Sequence, residues 1–223
     1  MKNTLATILL ADSPDKHIRE MKWNGKLDSF LPEVSRLHGV PQPQLHHPEG
    51  DAFEHSVQVL AEMKKQTRLP ERLFAGLVHD VGKGTTPIEL HPKHHNHEKN
   101  GVPVVEEICK RLGVPEEWRN AALYGTEHHG TFHRILEMRP PKLVDFLKSA
   151  NDSALGVEGL AQLGLADHRG RNNPNGTHEC YDAWFEMWSF IESTPGLPHE
   201  RQEDVRMRHA NGIKEIQKRH KNG

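Results

Sequence analysis

Leu77-Val78-His79-Asp80-Val81-Gly82-Lys83-Gly84 is an apolar run that ends in an imidazole beside a carboxylate, followed by glycine. Such a run predicts a buried helix that delivers two metal-ligand side chains into a cavity. Neighbours on a helix project about 100° apart, so His79 and Asp80 converge only on something large between them. A metal ion, or a pair of ions, meets that requirement. The local alternative has His79 hydrogen-bonding within its own turn and Asp80 pairing with Lys83 three residues on.

The segments on either side are helical in pattern. Leu31, Val34 and Leu37 recur at three-residue steps over 30–40, and Gly39 and the proline-rich stretch 41–48 close that helix. Asp51 is placed to cap a helix over 52–67 whose core stripe is Phe53, Val57, Leu60 and Met63, with His55 off the stripe. Pro70 opens the next helix, which is expected to run to Gly82. A loop with two prolines and four histidines covers 85–97, and a helix to about Leu112 follows, with Pro103 expected to kink or reset its first turn. Pro115-Glu116-Glu117 starts a helix that leads to Glu127-His128-His129, Pro140 starts another, and 157–167 makes one more. Tyr181, Trp184, Phe185, Trp188 and Ile191 then form an aromatic stripe at helical spacing, read as core and not as a base-stacking platform. No alternating strand pattern occurs, so the expected class is all-α, a single helical bundle with the metal site at its centre.

Twenty-nine basic and 31 acidic side chains leave no global field for nucleic acid or membrane, so any RNA contact must be local. Eighteen histidines, dispersed through the chain, are the compositional anomaly. Cys109 and Cys180 stand far apart without a paired-thiol spacing, which predicts reduced thiols in a cytoplasmic protein. The apolar stretch 5–11 is closed by Asp12 and Asp15 where a cleavage region would begin, and no segment approaches the ~20 apolar residues of a membrane span. Residues 1–25 are weakly periodic and are read as an N-terminal arm, either a short helix or loosely packed. Residues 196–223 are read as a basic C-terminal helix or tail, whose stretch 213–221 either touches RNA or is a solvated charged face.

Histidines and carboxylates recur at helix ends or inward positions: His55, His79 with Asp80, His97, His128 with His129, and Asp167. In that order they resemble the HD superfamily of metal-dependent phosphohydrolases, in which a His on one helix, a His-Asp doublet on the next and a late Asp hold the metal. A narrower resemblance is to the HD domain of bacterial CCA-adding tRNA nucleotidyltransferases. It rests on His79-Asp80-Val81-Gly82-Lys83-Gly84-Thr85-Thr86-Pro87, Glu89-Leu90, Pro92, His94-His95 and His97-Glu98. Leu37-His38-Gly39-Val40-Pro41, His47-Pro48-Glu49 and Ala166-Asp167 with Arg169-Gly170-Arg171 extend it. The likeness spans roughly 30–188 and is strongest over 79–101, which places the HD domain at 26–195. No nucleotidyltransferase head precedes it in these residues, so CCA addition is not expected of this chain by itself.

The resemblance implies 2′,3′-cyclic phosphodiesterase, 2′-nucleotidase and phosphatase activities that depend on one or two divalent ions, with a nucleotide or RNA 3′ end as substrate and no obligate protein partner. Imidazole and carboxylate donors suit Mn, Ni, Co, Fe or Mg, and the absence of nearby cysteine disfavours structural zinc. The implied ligands are His55, His79, Asp80 and Asp167 for one ion, with Asp80 bridging to a second held by His97 and either His128 or His129. The implied catalytic set is Asp80, Lys83, His129 and His133. Lys83 either contacts phosphate or pairs with Asp80; Arg169 and Arg171 either grip the substrate or lie on the surface; His133 either orients the leaving group or covers the pocket. The tract 91–97 is read as a lid in which only His97 coordinates. Two competing readings are the same chemistry on a signalling or deoxynucleotide substrate, and an RNA-binding module without turnover. The complete ligand set argues against the module.

Overall fold

Most of the apolar periodicities become helices in the computed structural model, which describes residues 2–173 and 175–222. In chain order these are α1 (Lys2–Leu10), α2 (Pro14–Trp23), α3 (Lys26–Phe30), α4 (Pro32–Ser35), α5 (Ala52–Gln66) and α6 (Pro70–Val78), then α7 (His97–Leu112), α8 (Glu116–Phe132), α9 (Pro140–Asp152), α10 (Gly156–Arg169), α11 (Glu179–Ser193) and α12 (Gln202–Asn222). Two 3-10 turns, Val81–Thr85 and Ile88–Leu90, lie between α6 and α7. There is no β-strand among the described residues; one isolated bridge joins Pro41 to Asp51. The fold is all-α, and no helix among the described residues is long and apolar enough to cross a membrane.

Four helices form the frame around the site. α6 packs on α8, α5 packs on α6 and α10, and α10 packs on α8. Leu60, Met63, Phe74, Leu77, Ala122, Phe132, Leu160 and Leu163 are fully buried in the common core. Asp51 caps α5 as its sequence position suggests, its Oδ1 accepting the Glu54 amide at 2.8 Å. Its other oxygen accepts the Gly39 amide at 2.9 Å and fixes the loop that leads into the helix.

Both terminal segments join this core. Leu5, Leu9 and Ile18, on α1 and α2, are fully buried, and each such burial is worth about 1.5–3 kcal/mol. The stretch read as a short helix or a loosely packed arm holds two helices packed on this core. At the other end α12 packs on α9 and α11, burying Ala210, Ile213 and Ile216. Its cations face acids: Arg206 meets Asp145, Arg208 meets Glu200 and Arg219 meets Glu186. The aromatic stripe of α11 is core, with Trp184 fully buried and its Nε1 donating to the Val157 carbonyl at 3.0 Å.

Two departures from the sequence expectation matter. Of the helix expected over 30–40 only α4 forms, because Pro32 starts a new helical turn just after α3 ends at Phe30 and the chain passes into turns after Ser35. The helix expected to reach Gly82 stops at Val78, since Asp80 (φ −108°, ψ 9°) leaves helical geometry and the chain tightens into the 3-10 turn. His79 and Asp80 thus stand at a helix end. α7, by contrast, runs through Pro103 as one helix.

Candidate metal centre

The inner ends of α5, α6, α7, α8 and α10 bring His55, His79 with Asp80, His97, His129 and Asp167 together around one buried point. His79 sits where α6 ends, and its Nδ1 contacts the Gly76 carbonyl at 2.8 Å. His97 opens α7, its Nδ1 2.9 Å from the His94 carbonyl, and His129 lies in the last turn of α8, its Nδ1 3.1 Å from the Thr126 carbonyl. A carbonyl only accepts, so in all three rings Nδ1 carries the proton and Nε2 presents a lone pair. Nε2 of His97 and Nε2 of His129 lie 3.3 Å apart, two acceptors facing one another.

Asp80 stands between two groups of these nitrogens. Its Oδ1 is 3.2 Å from His97 Nε2 and 3.4 Å from His129 Nε2, while Oδ2 is 3.3 Å from His79 Nε2 and 3.6 Å from His55 Nε2. Asp167 Oδ1 lies 3.0 Å from His55 Nε2. Yet His79 Nε2, His55 Nε2 and Asp80 Oδ1 are buried without an aligned hydrogen bond. Leaving several buried polar atoms unsatisfied in one small volume costs about 1–3 kcal/mol each. A cation at their centre removes that cost, and imidazole lone pairs with ionised carboxylates are the donors it needs. Ligand atoms of His55, His79 and Asp167 lie within 4.8 Å of one another, as do those of His79, Asp80 and His129. The donor set fits a divalent ion.

Charge supports the same arrangement. Burial pulls the Asp80 carboxyl upward, but the Lys83 ammonium and the His79 and His129 rings outweigh it and hold the group well below the usual carboxylate range. Asp167 is likewise pulled up by burial and held well down by Arg171, His133 and His55. Burial pushes His79 down, against the pull of Asp80. Lys83 is buried and fixed, its Nζ 2.5 Å from Asp80 Oδ2 and donating to Gln42 Oε1 at 2.6 Å.

The remaining residues separate. His129, not His128, faces Asp80; His128 turns to the Tyr124 and Phe146 rings, with centroids 4.4 and 5.7 Å away, so its candidacy as a ligand is corrected. Arg171 grips Asp167 at 3.0 Å and lines an open cleft of about 500 Å³ with His133, His168, Thr177, His178, Glu179 and Asp182. Arg169 points elsewhere, its Nε donating to the Gly176 carbonyl at 3.0 Å, and braces the loop after α10. His133 Nε2 lies 2.5 Å from Asp167 Oδ2. In the expected lid, His91 and His94 contact Thr86, and His94 Nε2 also reaches the Pro41 carbonyl at 2.8 Å, so that segment is tied to the 41–50 loop.

Sequence reasoning gave no role to Glu49, although His47-Pro48-Glu49 was part of the resemblance. Glu49 Oε1 lies 2.8 Å from both His47 Nδ1 and His55 Nδ1 and so sets the direction in which His55 faces. Despite burial, the two imidazoles draw its pKa down to about 2. His178 was also missed, since it stands as a lone His outside every periodic segment; its Nε2 is 2.6 Å from His133 Nδ1. Glu98, beside His97, forms a further donor group with His97 and His129.

Residues 52–155 match the HD domain family. The chain is also similar to multifunctional CCA proteins. That of Alkalilimnicola ehrlichii is 41% identical over 145 residues, which are 65% of this chain and 35% of the relative. That of Teredinibacter turnerae is 38% identical over 170 residues (75% and 41%), and that of Nitrosomonas eutropha 38% over 165 (73% and 40%). The chain therefore spans only 35–41% of the length of these relatives. Residues 52–155, which include His55, His79, Asp80, His97 and His129, thus form an HD domain, and the chain is homologous to a region of the multifunctional CCA proteins.

Proposed function

We propose that the chain is a metal-dependent phosphohydrolase that acts on 2′,3′-cyclic nucleotides, 2′-nucleotides or other phosphate esters, free or at an RNA 3′ end. The observation that carries this reading is the position of Asp80, one carboxylate reached from both sides by four imidazole Nε2 atoms within 3.6 Å. His55, His79, Asp80 and Asp167 would hold one divalent ion, and Asp80 with His97 and His129 a second, with Mn, Ni, Co, Fe or Mg as the candidates. Such ions, when bound, supply Lewis acidity that activates water and polarises the phosphoryl group.

The protein's own contribution is positioning and charge. Asp80 and Asp167 stay ionised because Lys83 and Arg171 sit against them. The backbone carbonyls facing His79, His97 and His129 keep every Nε2 free to coordinate. Arg171 lines the cleft while its guanidinium holds Asp167, which suits a phosphoryl oxygen approaching Asp167 from that side. Lys83, fixed on Asp80 and Gln42, acts through Asp80 and not on the substrate.

The test is hydrolysis of 2′,3′-cyclic AMP and 2′-AMP by metal-stripped protein reconstituted separately with Mn, Ni, Co, Mg or Zn, beside Asp80→Ala. Turnover that needs the metal and vanishes in the variant is expected. No turnover of either substrate, or of bis(p-nitrophenyl) phosphate, with any metal would overturn the proposal.

A further inference from the structure

His133 and His178 lie outside the metal cluster and side by side in the wall of the open cleft, their rings stacked at 4.8 Å and 29°. The direction of every hydrogen bond along this pair follows from one fixed donor. The Cys180 backbone amide, at the start of α11, can only donate, and it does so to His178 Nδ1 at 3.1 Å. His178 Nδ1 therefore carries a lone pair, and in a neutral ring the proton sits on Nε2. That Nε2 lies 2.6 Å from His133 Nδ1, which must accept. The His133 proton is thereby placed on Nε2, 2.5 Å from Asp167 Oδ2, an acceptor. A proton on His133 Nδ1 would set two N–H groups against each other across the 2.6 Å contact.

We propose that His178 is a positioning residue: while capping α11 it fixes His133 in the Nε2–H tautomer, so that His133 donates to Asp167 Oδ2 and leaves Asp167 Oδ1 turned toward His55. Neither ring then offers a lone pair toward the cluster, so His133 orients the carboxylate and neither coordinates the ion nor protonates a leaving group. Cys180 holds both ends of the device, its amide on His178 and its Sγ 3.6 Å from the His133 carbonyl. Arg171, also at Asp167 Oδ2, works with His133 from the other flank. Burial between the His133 and His168 rings depresses the His178 pKa to about 3, in keeping with a ring that stays neutral.

Two measurements on the full chain test this. Ring 15N spectra of metal-free protein, recorded above the imidazole titration range and assigned with His133→Gln, are expected to show His133 protonated at Nε2 and bare at Nδ1; the opposite tautomer would overturn the proposal. His178→Asn keeps a side chain that caps α11 but is too short to reach His133. Its melting temperature is expected to stay near that of the parent, while the single His133 tautomer is lost and Mn(II) affinity falls ~10-fold, the size typical of outer-shell partners. Unchanged tautomer and unchanged affinity would sink the idea. If the variant does not fold, the spectrum of the parent protein decides alone. The affinity arm rests on the proposed metal site, but the tautomer does not: the expected spectrum in a protein with no phosphohydrolase activity would remove that activity and leave the role of His178 standing.

Discussion

Gly82 lies so close to Gly101 that a Cβ on Gly82 would stand 2.6 Å from the Gly101 amide nitrogen, and it would also collide with the His97 carbonyl. This contact seats the His79–Asp80 turn directly on the first turns of α7 and sets His97 against Asp80. Gly82→Ala is expected to destabilise the protein by ~1–3 kcal/mol, the usual cost of overpacking, because backbone cannot swing aside as a side chain can. It should also part His97 from Asp80, so metal stoichiometry should fall together with the urea midpoint. A variant with parental midpoint and full metal binding would show that the contact is not needed.

Lys83 faces the same carboxylate from the opposite side. Lys83→Met removes the cation and leaves Asp80 buried among neutral partners, a loss expected to cost ~3–5 kcal/mol in the metal-free protein. Bound metal restores positive charge at Asp80, so the rise in melting temperature on adding Mn(II) should be larger in the variant than in the parent. If Lys83 instead contacts substrate phosphate, metal-free stability would be unchanged and only KM would rise. Calorimetry with and without metal separates the two.

Part of this cluster of candidate ligands was legible from where periodicity ends. His79-Asp80 closes an apolar run and points inward by that pattern alone, whereas His55, off the stripe of its helix, and Asp167 were drawn in only by the resemblance that their order along the chain carries. What could not be read was direction around a turn. His128 and His129 are adjacent, and only the packing of α8 on α6 and α7 decides that His129 faces Asp80 while His128 meets Tyr124. Glu49 and His178 lie in segments without periodicity, where sequence carries no register, and their roles depend on loops folding back over helix ends. The terminal helices were under-read for a similar reason: Leu5, Leu9 and Ile18 are too few to form a clear stripe, though together they are buried against the core.

The separation of the adjacent histidines can be measured directly. His129→Ala is expected to lower Mn(II) affinity by at least ~10-fold, whereas His128→Ala should change it by less than ~2-fold and act only through lost ring packing on Tyr124 and Phe146. Isothermal titration of metal-stripped protein gives both numbers. Equal losses in the two variants would mean that the last turns of α8 rotate when metal binds.

Glu49 links the site to acid stability. Its pKa falls from an ordinary 4.5 to about 2 in the folded chain, because the His47 and His55 rings overcome the upward pull of burial. A carboxyl whose folded pKa is depressed stabilises the native state above its unfolded pKa, and that contribution fades as pH drops toward the folded value. Asp80 and Asp167, held well below their ordinary value, act with the same sign. Metal-free protein should therefore lose stability steadily as pH falls from about 4.5 toward 2, as the unfolded chain takes up protons that the native state refuses. Glu49→Gln should lower the urea midpoint near neutrality and flatten its decline through that window, since one of the groups driving the proton uptake is gone. A midpoint in Glu49→Gln that falls as steeply as the parent's would show that Glu49 does not hold His55 through its charge.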